Sequence, residues 1–97
     1  MTLIATLDLR FDPAQLDEAR TVINRVLTET RAFDGNLGVD VLVDTADPAH
    51  FVVVESWASL AHDDAYRAWR ATPEGASELG SILAAAPTLT RFERAEA

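Results

Sequence analysis

The chain has 97 residues, 16 acidic and 8 basic, with a formal net charge of −8 and no cysteine. This acidity argues against nucleic acid and anionic membrane surfaces as partners, since both bind basic proteins. The absence of cysteine excludes disulfides, thiolate metal sites and cysteine nucleophiles. The length predicts one domain, residues 1–97. An N-terminus without a basic segment or a long apolar run predicts a cytoplasmic protein with no membrane partner.

The first third of the chain is typical of a strand followed by a helix. From Thr2 to Arg10, leucine and alanine occupy alternate positions, which indicates a strand with one buried face. Asp12 and Pro13 suit the start of a helix, and apolar residues then recur at helical spacing. The sequence therefore predicts an amphipathic helix over about 13–31.

The middle of the chain is predicted to form a hairpin of two antiparallel strands. Alternating apolar residues indicate a second strand over 37–44, and a third strand follows from Phe51 to Trp57. Because proline cannot continue a paired strand, Pro48 is expected to lie in a six-residue connection, Thr45–His50.

A second helix is predicted over about 59–72, with Ser59 as its cap. A less regular helical segment is expected over 76–85 and a last strand over 88–94. The three residues of the tail, 95–97, are expected to fray.

The predicted order is β-α-β-β-α-β, which is the ferredoxin-like arrangement of the α+β class. Its four-stranded antiparallel sheet carries both helices on one face and leaves the other face uncovered. An uncovered apolar sheet face implies a partner surface, so we expect a homodimer formed through the sheet faces.

With this order, the sequence resembles the antibiotic biosynthesis monooxygenase family. The resemblance rests on Gly35, Gly38, Asp44 and the pair Glu55-Ser-Trp57 at the end of an apolar strand. It implies a dimeric α+β barrel. It also implies a cofactor-independent monooxygenase that oxidises a small aromatic molecule of the quinol or anthrone type with dioxygen.

Two departures from the family pattern affect this interpretation. Many relatives carry a histidine nine residues after the tryptophan, where this chain has Tyr66, and its own His62 comes one turn earlier. Haem-degrading relatives use a histidine about ten residues after a helix tryptophan, but Leu79 stands ten residues after Trp69, and the first strand lacks the family's asparagine. We therefore expect no haem, and no metal or other cofactor.

The resemblance makes Tyr66, Trp57 and Arg70 the candidate catalytic residues. The candidate substrate-binding residues are Trp69, Phe51, His62 and Arg91. Aromatic side chains would form the walls of an apolar pocket, and an arginine would stabilise the phenolate or enolate of the substrate.

Each candidate also has a purely structural interpretation. The tryptophans suit ordinary packing, and His62, beside two aspartates, suits a solvated helix face. Glu55 suits a structural ion pair, for example with an arginine across a dimer. A non-catalytic module for ligand binding or dimerisation therefore stays an alternative function. An isomerase or cyclase using Tyr66 with His62 is another.

Overall fold

The structure is a computed structural model that describes residues 2–95. Four strands and two helices follow one another in the predicted order β-α-β-β-α-β. They are β1 (Leu3–Arg10), α1 (Leu16–Ala32), β2 (Asn36–Asp44), β3 (Asp47–Trp57), α2 (Leu60–Arg70) and β4 (Thr88–Glu93). Short 3₁₀ turns at Pro13–Gln15 and Leu79–Ile82 complete the structure. The tail was predicted to fray over residues 95–97, and two of these, Glu96 and Ala97, lie outside the described residues.

The four strands form one antiparallel sheet with the order β2-β3-β1-β4. This order confirms the ferredoxin-like fold. In the central pair, Leu3 is opposite Trp57, Ala5 opposite Glu55 and Leu9 opposite Phe51. Since side chains alternate along a strand, these six residues share one face of the sheet.

Both helices pack on that face, which we call the inner face. The apolar side of α1 covers one half of it, through Ala19, Val22, Ile23, Val26 and Leu27. Tyr66 of α2 packs on Leu3, Ala5 and Trp57 in the other half. The two cores leave a space between them, at the boundary between α1 and α2.

The outer face of the sheet is not covered by any part of the chain that the structure describes. Leu42 and Phe92 are 53% and 50% exposed there, while Ile4, Val52 and Val54 are half-buried. Homodimer formation through this face stays a prediction. Among residues 2–95, no helix is both long and apolar enough to cross a membrane.

Both predicted helix caps are present. The Asp12 side chain accepts a hydrogen bond from the backbone N–H of Ala14 at 2.9 Å, at the 3₁₀ turn that precedes α1. The hydroxyl of Ser59 accepts one from the N–H of His62 at 3.2 Å, at the start of α2. These bonds satisfy backbone donors that the helices leave free.

The predicted six-residue loop between β2 and β3 was wrong. The strand β3 already begins at Asp47, which pairs with Asp44, so a two-residue turn joins the strands. Pro48 fits inside β3 because the register with β2 shifts between Val43 and Asp44. The proline therefore lies in an irregular stretch, where no ladder hydrogen bond needs its missing N–H.

The predicted helical segment over 76–85 was also wrong in most of its length. Only Leu79–Ile82 is helical, as a single 3₁₀ turn. Helix α2 ends at Arg70, before the predicted residue 72, and Pro73 follows shortly after. The alanines of this segment favour a helix, but a stretch this short does not sustain one by propensity alone.

Candidate functional site

A cavity of about 190 Å³ lies between the two helices and the inner face of the sheet. Most of its wall is apolar. Polar side chains project into it from α1, α2, β3 and the segment after α2. Its lining consists of Leu7, Leu9, Ile23, Val26, Leu27, Thr30, Val53, Glu55, Tyr66, Arg67, Arg70, Ser77 and Leu79.

The Tyr66 hydroxyl connects the two helices at the cavity. It lies 2.6 Å from the Thr30 hydroxyl and accepts a hydrogen bond from Nε of Arg70 at 2.7 Å. The single proton of Thr30 is donated to the carbonyl of Val26 at 3.0 Å. Tyr66 therefore donates its own proton to Thr30, and its hydroxyl is engaged as both donor and acceptor.

Arg70 is held in place by several further acceptors. Its guanidinium donates to the carbonyls of Val26 and Gly75 at 3.0 and 3.2 Å, and to the Glu29 carboxylate at 3.2 Å. The central carbon of the Arg70 guanidinium also lies 4.7 Å from the centre of the Trp69 ring. Such a network fixes a positive charge beside the cavity without requiring a ligand to order it.

Glu55 is a buried carboxylate in the cavity wall, only 2% exposed. It accepts a hydrogen bond from the indole N–H of Trp57 at 3.1 Å and one from the Arg67 guanidinium at 2.5 Å. Glu55 therefore pairs with an arginine, as its structural interpretation expected, but with one of its own chain instead of one across a dimer. Alternation along β3 explains the first bond, since residues two apart share a face.

Arg67 and a second arginine enclose Asp63, which is fully buried. The guanidinium of Arg67 lies 3.1 Å from Oδ1 of Asp63, and the guanidinium of Arg91 in β4 lies 3.3 Å from Oδ2. Arg91 also donates to Asp64 at 2.6 Å, and this bond is the main cause that raises the pKa of Arg91. The ion-pair network thus runs from the cavity wall at Glu55 to the surface at Asp64.

Three aromatic rings form a cluster with that of Tyr66. The ring of Tyr66 lies 4.9 Å from that of Trp57, 5.2 Å from that of Phe33 and 6.2 Å from that of Trp69. The guanidinium of Arg67 lies 4.9 Å from the centre of the Tyr66 ring. These contacts orient Tyr66 but fill the space that the tryptophans would otherwise open to a ligand.

The structure brings only some of the predicted site residues together. Tyr66 and Arg70 both line the cavity, since residues four apart on a helix share a side. The other five predicted residues, Trp57, Trp69, Phe51, His62 and Arg91, do not belong to its lining.

Two of these five make their main contacts elsewhere. Phe51 packs edge-on against Phe11, with ring centres 5.3 Å apart. His62 contacts the Ser59 hydroxyl at 2.7 Å and lies 3.8 Å from the carboxylate of Asp34. His62 therefore stands on the side of α2 that faces the turn before β2.

The cavity also contains polar residues that the predicted site omitted. They are Thr30, Glu55, Arg67 and Ser77. A signal for Glu55 existed in the sequence, since a charge at an inward position of a buried strand needs a partner or a function. Thr30 gave no such signal, because its role depends on the packing of α1 against α2.

A second group of titratable side chains lies outside the cavity, at one end of the sheet. Nδ1 of His50 is 2.8 Å from Asp44, and Nε2 is 3.0 Å from Asp8. The hydrogen bond to Asp44, followed by the one to Asp8, raises the pKa of His50. The same bond to His50 lowers the pKa of Asp44.

Within residues 2–95, no group of three histidine or acidic side chains is arranged to hold a metal ion. The cavity instead offers two guanidiniums, one carboxylate and hydroxyl groups around an apolar space. Such a lining suits an organic molecule with an apolar body and an acidic or anionic oxygen.

Comparison with known proteins gives a family match over most of the chain. The model of the family described as antibiotic biosynthesis monooxygenase matches residues 2–76. No curated protein sequence gives a significant match.

Solved structures share the fold at low sequence identity. The crystal structure of an antibiotic biosynthesis monooxygenase is similar at 22% identity and a TM-score of 0.83, covering 97% of this chain and 99% of that one. A protein described as a putative member of the same family, from Deinococcus radiodurans, is 22% identical, with a TM-score of 0.80 and coverage of 98% and 94%. SnoaB from Streptomyces nogalater, a cofactor-independent oxygenase solved as a point mutant, is 16% identical, with a TM-score of 0.79 and coverage of 99% and 95%.

Proposed function

We propose that this chain, which belongs to the antibiotic biosynthesis monooxygenase family, is a cofactor-independent monooxygenase. Its substrate would be an electron-rich aromatic molecule with an acidic oxygen, of the quinol or anthrone type. The observation that carries this proposal is the cavity itself: Arg67 and Arg70 line a space whose other walls are mostly apolar.

The chemistry asks little of the protein beyond this environment. A deprotonated hydroxy-aromatic can pass an electron to dioxygen by itself, so the protein has to bind it, stabilise its anion and exclude water. Fixed guanidiniums in a largely apolar cavity stabilise an anion far better than water-exposed ones, because little solvent screens them. The similarity to SnoaB, a cofactor-independent oxygenase by its description, is consistent with this chemistry.

The size of the cavity narrows the class of substrate. A protein cavity of about 150 Å³ holds one benzene molecule. The cavity of about 190 Å³ is only moderately larger. It therefore favours an aromatic of one or two rings over a three-ring anthrone.

Oxygen consumption with a panel of one-, two- and three-ring hydroxy-aromatics, without added metal or flavin, tests the proposal. We expect protein-dependent uptake with loss of substrate and formation of a quinone. Uptake no faster than spontaneous oxidation, across the whole panel, would refute it.

A non-catalytic ligand-binding module is the second candidate, and one observation favours it. The Tyr66 hydroxyl and the Arg70 guanidinium already bond to groups of the chain itself, so both have a structural role without any substrate. Binding of naphthols without turnover, followed by tryptophan fluorescence, would support this candidate.

We also propose that the protein is a homodimer through the outer face of the sheet. The exposed Leu42 and Phe92 and the half-buried Val52 and Val54 make this face partly apolar. Sedimentation should give about twice the 10.6 kDa of one chain. Phe92→Glu should shift the protein toward monomer, and a parent protein that sediments as a monomer would refute the proposal.

The cytoplasm as its compartment stays a prediction of the sequence.

A further inference from the structure

The cavity contains one carboxylate, and the burial of that group needs an explanation. Glu55 sits at an inner-face position of the central strand β3, opposite Ala5 on one side and Val39 on the other. It is 2% exposed, and burying a charge among apolar residues is costly unless it is paired. Hydrogen-bonded partners account for only one of the two carboxylate oxygens.

The two hydrogen bonds of Glu55 end on the same oxygen. Both the indole N–H of Trp57 and the guanidinium of Arg67 donate to Oε1. Within the part of the chain that the structure describes, no side chain or backbone group donates to Oε2. One oxygen of the carboxylate, Oε1, is therefore held by two donors, while the other oxygen, Oε2, is left to accept a proton.

Arg67 does not depend on Glu55 alone for its charge balance. It also lies 3.1 Å from Asp63, a fully buried carboxylate outside the cavity. A glutamine at position 55 could still accept from Trp57 and Arg67, and Arg67 would keep its ion pair. The negative charge in the cavity is thus not required merely to neutralise this arginine.

The other cavity groups are less suited to accept a proton. The Tyr66 hydroxyl donates to Thr30 and accepts from Arg70, so both of its roles are taken. The two arginines donate only. His62, the histidine of α2, does not belong to the cavity lining.

From this geometry we propose that Glu55 is the general base of the reaction, accepting the hydroxyl proton of the bound aromatic on Oε2. The inference rests on the proposed function and deepens it. The substrate class it names is a one- or two-ring phenol or naphthol whose hydroxyl points at β3. Arg67 and Arg70 stabilise the phenolate that forms.

The proposed reaction steps conserve atoms and electrons for a naphthol and dioxygen. Glu55 takes the O–H proton, and the naphtholate gives one electron to dioxygen, producing an aryloxyl radical and superoxide. These combine in a C–O bond at the ring carbon para to the oxygen, and Glu55 returns its proton to the peroxide. The O–O bond then breaks, and the ring C–H proton leaves with hydroxide as water. Naphthol and dioxygen become naphthoquinone and water, and Glu55 is regenerated.

The decisive variant is Glu55→Gln, compared with Asp63→Asn as the matched loss of a buried carboxylate that also contacts Arg67. We would follow 1-naphthol oxidation by oxygen uptake from pH 6 to about 9.5, with 1-methoxynaphthalene, which has no hydroxyl proton, as a binding control. A general base contributes on the order of 10²–10⁴-fold. Glu55→Gln should lose this factor at neutral pH, and Asp63→Asn should keep most of the rate.

The pH dependence separates a base from a structural residue. Phenolic hydroxyls ionise by themselves near pH 10, so the deficit of Glu55→Gln should shrink as the pH rises toward that value. Binding of 1-methoxynaphthalene, measured by tryptophan fluorescence, should be nearly unchanged in this variant. Should Glu55→Gln fail to fold, Glu55→Asp keeps the charge but retracts it by one methylene, and it should lower kcat with little change in KM.

The outcomes distinguish this inference from the proposed function. A parent protein that oxidises naphthol, with Glu55→Gln equally active or equally impaired at every pH, would overturn the role of Glu55 and leave the function standing. The same holds if Glu55→Asp matches the parent. A parent protein that oxidises none of the phenols would overturn the function and the base assignment together.

Discussion

The hydroxyl of Tyr66 should be worth a measurable part of the stability of the protein. Tyr66→Phe removes one oxygen atom and keeps the ring in its aromatic cluster with Phe33 and Trp57. The change deletes the bond to Thr30 at 2.6 Å and the bond from Arg70 at 2.7 Å. Since Tyr66 is 2% exposed, water cannot easily replace them.

The two bonds differ in strength, which sets the expected loss. A hydrogen bond from a charged group contributes about 1.5–3 kcal/mol and a neutral one about 1 kcal/mol. Arg70 keeps its other acceptors, and Thr30 keeps its bond to Val26, so the sum is an upper limit. We expect a loss of about 2–3 kcal/mol, which corresponds to a fall in Tm on the order of 10–20 °C for a chain of this length.

Thermal and urea unfolding, followed by circular dichroism at one fixed protein concentration, measure this loss. Thr30→Val is the matched partner variant, and the double variant completes a cycle. We expect a coupling free energy of about 0.5–3 kcal/mol, because the two hydroxyls bond directly. A Tm of Tyr66→Phe within about 2 °C of the parent, or strictly additive effects, would show that this hydrogen-bonded connection between the helices is absent.

Three further predictions concern other parts of the molecule. The raised pKa of His50 adds stability that is complete below its ordinary value of 6.5 and is lost as the pH rises through the raised value. The lowered pKa of Asp44 adds stability that is present above its ordinary value of 3.8 and is lost as the pH falls through the lowered value. The difference in unfolding free energy between the parent and His50→Gln should therefore be widest near pH 5–6 and small by about pH 9. A difference that stays constant over this range would contradict the linkage. Gly35 has a φ of +87°, and a Cβ there would overlap the ring of His62, so Gly35→Ala should cost more than about 1 kcal/mol in urea unfolding; an unchanged midpoint would contradict this. His62→Ala should change oxygen uptake little, because His62 is not part of the cavity lining; an inactive variant would show that the reaction takes place at another turn of α2.

The sequence was sufficient for the elements and their order because each signal is local. Alternation in β1 assigned Leu3, Ala5 and Leu9 to a buried face, and all three are buried. Asp12 and Ser59 marked helix starts, since a cap bonds to a backbone N–H only two or three residues away. Spacing on α2 likewise brought Tyr66 and Arg70 together.

Local signals failed where pairing with a distant strand decided the outcome. Proline is a poor strand residue, yet Pro48 lies in β3, because the irregular register with β2 removes the need for its N–H. The alanines before residue 86 favour a helix, but there the chain forms only one 3₁₀ turn. Propensity is a weak preference that tertiary context overrides.

The sequence by itself determined the fold class, the family and the side of α1 that would be buried, whereas it placed Asp63 of α2 on a solvated face and the structure buries it. Only the tertiary structure decided which polar groups share the cavity. Thr30 and Tyr66 are 36 residues apart, and Glu55 and Arg67 are 12 apart on different elements, so no spacing rule brings them together. The periodicity of an element states which side faces inward, whereas the contacts across the interior depend on how α1 and α2 settle on the sheet.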